Sequence, residues 1–155
     1  ALFLDLDVVI VDNIDSFFTH SGDFLIIHDW KRPWRITGNS SVYRFKLGAF
    51  PGLMPYFREH FDEIRQKFRN EQAYLSWYVD QEKKLSYWPD SWCKSYKYHC
   101  LQKIPLAYFK PPVKPEGAKI IVFHGEINPP DAVNGGGGKW YRYVLPSQWI
   151  KDAWQ

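Results

Sequence analysis

Asp5 and Asp7 stand two residues apart inside an apolar run, Ala1 to Val11, that they alone interrupt. Side chains alternate along a strand, so both carboxylates are expected on one face. Two neighbouring carboxylates in a buried strand need a cation or protons between them. A divalent metal is the natural remedy, because carboxylate oxygen suits such ions. The alternative places one acid at the sheet rim and pairs the other with an arginine or lysine. Gly135 to Gly138 followed by Lys139 superficially suggests a phosphate-binding loop. It is not a Walker sequence, because Trp140 stands where a magnesium-binding Ser or Thr is needed.

The elements that must carry these residues follow from pattern. β-branched Val8, Val9, Ile10 and Val11 predict one strand over 1–11, buried on both faces as in parallel α/β sheets. Asp12 to Asp15 supplies turn and cap chemistry, and 16–18 a short helical turn. Further strands are expected over 23–28, 41–45 and 119–123. Leu53, Phe57, Phe61, Ile64 and Phe68 recur at helical spacing and predict one long amphipathic helix behind Pro51-Gly52. A shorter helix is expected over 71–79 and a terminal one over 146–154. Residues 83–115, rich in proline and aromatics, read as irregular, and 134–138 as a flexible glycine loop.

Composition removes several classes of function. With 155 residues and 45% hydrophobic content, the chain can build a real core and is not a disordered segment. No stretch approaches the ~20 apolar residues needed to span a bilayer. A net charge of +3 without a basic run gives nucleic-acid binding no electrostatic support. Two cysteines are too few for a disulfide scaffold.

Asp5-Leu6-Asp7-Val8-Val9 fits two enzyme patterns. In haloacid-dehalogenase-type phosphatases the first Asp is a nucleophile and the second an acid/base. The later Ser or Thr, the phosphate-facing Lys and the late acidic pair of that family have no counterpart here: the later strand ends in His124, and Asp131 and Asp152 are isolated. The second pattern extends further. Phe3-Leu4-Asp5-Leu6-Asp7-Val8-Val9 resembles the metal-binding Asp-x-Asp strand of GT-A-fold nucleotide-sugar glycosyltransferases. Asn39-Ser40-Ser41-Val42, Asn70-Glu71-Gln72 and Phe123-His124-Gly125 resemble later segments of the glycogenin and lipopolysaccharide galactosyltransferase group, in the same order.

The resemblance implies an α/β, Rossmann-like GT-A domain with a mixed, mostly parallel sheet flanked by helices. Residues 1–155 would be a single partial domain, the C-terminal portion, beginning at the Asp-x-Asp strand and lacking the first nucleotide-binding half. It implies a metal-dependent transferase moving a hexose from a nucleotide-diphosphate sugar to a glycan, lipid or protein acceptor, with retained anomeric configuration. Asp5, Asp7 and His124 would hold Mn²⁺, or Mg²⁺, since two carboxylates and an imidazole suit those ions. A histidine at a strand end is often only structural; the acidic pair and Gly125, which permits close backbone approach, favour ligation. Asp5 would also meet the substrate ribose. Asn39, Ser40, Ser41 and Gly125 would contact substrate, Lys139 would stand in for the family's phosphate-facing lysine, and Glu71 and Gln72 would act catalytically at the donor sugar. By composition alone, Asn39 to Ser41 are equally turn residues, and Glu71 and Gln72 equally a helix start. Trp30 and Trp34 are candidate sugar contacts, whereas His20, His28, His60 and His99 receive no role. A cytoplasmic location, peripheral at the inner face of a membrane, completes the expectation, with a non-catalytic carbohydrate-binding module as a further alternative.

Overall fold

The computed structural model describes residues 1–136 and 143–154. It is a mixed α/β fold with two small mixed sheets, and the chain divides into two compact units, residues 1–4 with 17–88 and residues 5–16 with 89–155.

The first unit carries a four-stranded sheet built from β1 (Leu2–Leu4), β3 (Phe24–His28), β4 (Gly38–Phe45) and β5 (Leu85–Tyr87), in the order β1-β4-β3-β5. β3 is central because Phe24, Leu25, Ile26 and Ile27 are apolar on both faces, and all four are buried. β4 runs antiparallel to both neighbours, and β5 is parallel to β3. Helix α4 (Glu71–Gln81) lies against β4. Its N-terminus is capped by Asn70, whose side chain accepts from the Ala73 amide at 3.2 Å. Gly38 ties β4 to α4 through its amide and fits against β3 through its missing side chain. The Gly38 amide donates to Ser76 Oγ at 2.9 Å, and a Cβ at Gly38 would stand 2.6 Å from Ile26 Cγ2.

The helix expected behind Pro51-Gly52 is two helices, α2 (Leu53–Glu59) and α3 (Phe61–Lys67). The backbone leaves helical geometry at His60, with φ −111° and ψ 28°. Hydrogen bonds survive the corner, because the His60 amide donates to Tyr56 O and its carbonyl accepts from Ile64. The apolar stripe therefore bends: Ile64 is buried while Phe61 remains 46% exposed.

In the second unit β2 (Val8–Ile10), β6 (Cys93–Ser95) and β7 (Ile120–Val122) form a sheet in the order β2-β7-β6. β7 is central and wholly buried, antiparallel to β2 and parallel to β6. A π-helical turn over Tyr96–Cys100 follows β6 directly. Tyr96 stacks on Phe123 with centroids 4.5 Å apart, inside a core that includes Val9, Ile121 and Ile150. Two helices complete the unit, α5 (Pro129–Asn134), whose Asn128 and Asp131 form a reciprocal cap, and α6 (Gln148–Ala153). The short helix α1 (Asp15–Thr19) buries Phe17.

Two expectations are corrected. Among the described residues the sheets are not mostly parallel, since three strand pairings are antiparallel and two parallel. Nor is 1–11 one strand. The chain turns at Leu6 and Asp7, and Leu6 is fully exposed, so β1 and β2 join different sheets. Carboxylates two apart favour such a break, because a continuous buried ladder would desolvate both.

Candidate functional site

The acidic pair sits in that turn. Asp5 is exposed, and its Oδ1 accepts the Leu6 amide at 2.9 Å. Asp7 is half-buried, and its Oδ1 is shut off from solvent with no hydrogen-bond partner. Burial pushes the Asp7 carboxyl above its ordinary 3.8, and the charge of Asp5 pushes it further, while a bond with its own backbone amide opposes both. The charge of Asp5 thus reaches Asp7 across a turn rather than along a common strand face.

His124 lies just beyond the end of the β2–β7 ladder and does not gather with the acidic pair. Val8 faces Val122, and the ladder runs one step further, because the Phe123 amide donates to Asp7 O at 2.9 Å. His124 is the next residue along. Its Nε2 lies 2.6 Å from the buried Ser95 hydroxyl, and its ring centroid is 5.0 Å from that of Tyr98. Ser95 Oγ also accepts the Tyr98 amide at 3.3 Å, so one buried serine fixes both the imidazole and the start of the π-helical turn. Gly125 is needed for its backbone: φ is +92°, and a Cβ there would meet nothing within 4 Å. The expected reason, close approach of another group, is thus replaced by a left-handed turn.

A carboxylate oxygen that is buried, unpartnered and beside a second carboxylate fits a hard divalent cation. The trio is not drawn together: among the described residues no three His, Cys, Asp or Glu side chains gather as a site for an ion.

In the first unit the structure joins two segments that lie thirty residues apart. Between Ile26 and Ile27 the register of β3 on β4 slips, so that Ile26 faces Tyr43 but Ile27 faces Asn39. Ser40, Ser41 and Val42 form the irregularity. Side chains then satisfy their backbone groups. The Ser40 amide donates to Gln72 Oε1 at 3.2 Å, the Ser41 amide to Asn39 Oδ1 at 3.0 Å, and Val42 O accepts from Trp88 Nε1 at 3.2 Å. Ser40 Oγ is also 3.4 Å from Glu71 Oε1. Asn39, Ser40, Glu71 and Gln72 therefore form one polar cluster where a bulged strand meets a helix start, and such bulges commonly re-aim side chains beside active sites. β4 begins at Gly38 rather than at the expected residue 41, so Asn39 and Ser40 belong to the strand.

Lys139 and the glycines at 137 and 138 lie outside the described residues. Gly136 pairs with Val144 in an antiparallel bridge. Trp34 is 76% exposed in the loop over 29–37, and Trp30 is half-buried.

Sequence reasoning missed a cavity of about 420 Å³ in the second unit. Its wall includes His124, Tyr98, Lys97, Gln102, Glu126 and Tyr143. Lys97, Tyr98 and Gln102 come from the stretch read as irregular, where the signal was aromatic content without periodicity. A second cavity of about 290 Å³ in the first unit, walled by Phe24, Tyr43, Phe45 and Phe50 among others, includes none of the expected site residues. No protein-family model, curated protein or solved structure matches the chain.

Proposed function

We propose that the chain belongs to a metal-dependent glycosyltransferase of GT-A type, which moves a hexose from a nucleotide-diphosphate sugar to an acceptor. The observation that carries this reading is the buried, unpartnered Asp7 oxygen, whose carboxyl feels the charge of Asp5. Asp5 and Asp7 would hold Mn²⁺ or Mg²⁺; His124, which does not gather with them among the described residues, would stay outside the ligand set. The ion, when bound, would neutralise the diphosphate charge that develops as the anomeric bond breaks.

The chain's own residues then have distinct tasks. Asp7 keeps an oxygen desolvated, so that its charge is available only to a partner that displaces no water. Ser95 holds the His124 ring through Nε2. Within the first unit, Ser40, Glu71 and Gln72 hold a fixed array of hydroxyl, carboxylate and amide groups.

Electron paramagnetic resonance of Mn²⁺ titrated into the chain, with and without a nucleoside diphosphate, tests the reading. Saturable binding that Asp7→Asn abolishes and the nucleotide tightens is expected. Equal Mn²⁺ binding by wild type and Asp7→Asn would falsify the proposal. Release of free hexose from the nucleotide sugar, dependent on Mn²⁺ and lost in the same variant, is the matching activity.

A further inference from the structure

We infer that the 420 Å³ cavity beside His124 is a carbohydrate subsite, which binds a hexopyranoside ring against Tyr98. On the transferase reading above, that ring is the acceptor's. The volume lies in the ordinary range for small-molecule sites, roughly 300–1,000 Å³. A pyranose has an apolar C–H face and a rim of hydroxyls that both donate and accept. It is met by an aromatic ring flanked by side chains of both hydrogen-bonding kinds. The cavity offers that combination. Tyr98 and Tyr143 are 38% and 41% exposed on its wall. Lys97 donates, Glu126 accepts, and Gln102 does both.

The platform is also preorganised. The Tyr98 amide is held by Ser95 Oγ at 3.3 Å, and the same oxygen lies 2.6 Å from His124 Nε2. Tyr98 and His124 are in addition in ring contact at 5.0 Å. Tyr143 stacks on Tyr108, with an interplanar angle of 12°. A ring ordered by such contacts loses little entropy when a ligand docks. The turn that presents Tyr98 is π-helical, a geometry frequent at functional sites.

The test is nuclear magnetic resonance of the intact chain in chelator, titrated with lactose, methyl β-galactopyranoside and methyl α-glucopyranoside. Saturable binding of at least one glycoside is expected, with saturation transfer strongest to the C–H protons of one ring face. Amide shifts should concentrate at Tyr98, Gln102 and His124 and spare Asn39. Tyr98→Phe should bind as wild type does, and Tyr98→Ala should lose roughly tenfold in affinity, the order of one aromatic contact. Absence of saturable binding by all three glycosides overturns the inference. So do shifts that map elsewhere in the wild-type chain, a measurement that stands even if Tyr98→Ala fails to fold, and displacement of the glycoside by uridine. No metal or donor enters the assay. Glycoside binding without Mn²⁺ binding would therefore remove the transferase and keep the subsite, and the reverse result would do the opposite.

Discussion

Asp7 concentrates the tension between stability and function in one carboxyl. Its folded pKa lies above the ordinary 3.8, so the fold holds this proton longer than the unfolded chain does. Stability attributable to this group is therefore greatest below 3.8 and declines as pH rises through the folded value. At neutral pH the metal-free protein carries the full penalty. Asp7→Asn should raise its thermal midpoint by a few degrees, measured by circular dichroism at pH 7, and the gain should vanish in acid. Added Mn²⁺ should stabilise wild type by mass action and leave the variant unchanged. Arg44 illustrates the opposite case, a charge whose value is structural. Its guanidinium donates to the carbonyls of Phe17, His20 and Gly22 at 2.8, 2.6 and 2.8 Å. The three bonds come from two nitrogens, Nη1 and Nη2, which the single nitrogen of lysine does not replace, so Arg44→Lys should cost roughly 1.5–3 kcal/mol in urea unfolding.

At the scale of elements, the polar cluster in the first unit rests on how β4 meets α4 on one side and β3 on the other. A Cβ at Gly38 would lie 2.6 Å from Ile26 Cγ2 and 2.8 Å from Ile27 O, and the carbonyl cannot move without breaking β3. Gly38→Ala should therefore destabilise by about 1–3 kcal/mol, the usual cost of overpacking, measured by urea denaturation. It should also disturb the Ser40–Gln72 contact two residues on, visible as a shifted Ser40 amide. Nothing in the sequence marks Gly38 for this role, because its need is set by residues distant in the chain. β3 and β7 were legible because their apolar residues fall in an unbroken run, whereas α4 has no clear apolar period and was expected over 71–79 only. The break at Leu6 was not, since an apolar run with two acids has the same pattern whether it passes through a sheet or turns between two. β5 and β6 are three residues each, too short for any period to register. The Asn39–Gln72 cluster was legible as two separate segments, and only the bulge, a tertiary feature, shows why they belong together.

For the molecule as a whole, the two free thiols report on one unit. Cys93 and Cys100 both lie in the second unit, 2% and 1% exposed. Burial raises both thiols, Cys100 to about 12, so neither supplies much thiolate at neutral pH. Reaction with a disulfide reagent must then wait for the unit to open, and its rate tracks the open population when reclosing is fast. Ile121 stands in the middle of β7, fully buried. Ile121→Val removes one methyl group, a change worth about 0.5–1.5 kcal/mol, and should speed labelling by roughly two- to tenfold. Val113→Ala, at a position 56% exposed in the same unit, should leave the rate unchanged. Labelling of wild type at the rate of a free thiol peptide would show that the β2-β7-β6 sheet does not protect its cysteines. The ladder that sets Asp7 opposite Phe123 would then lack the rigidity that a preformed site requires.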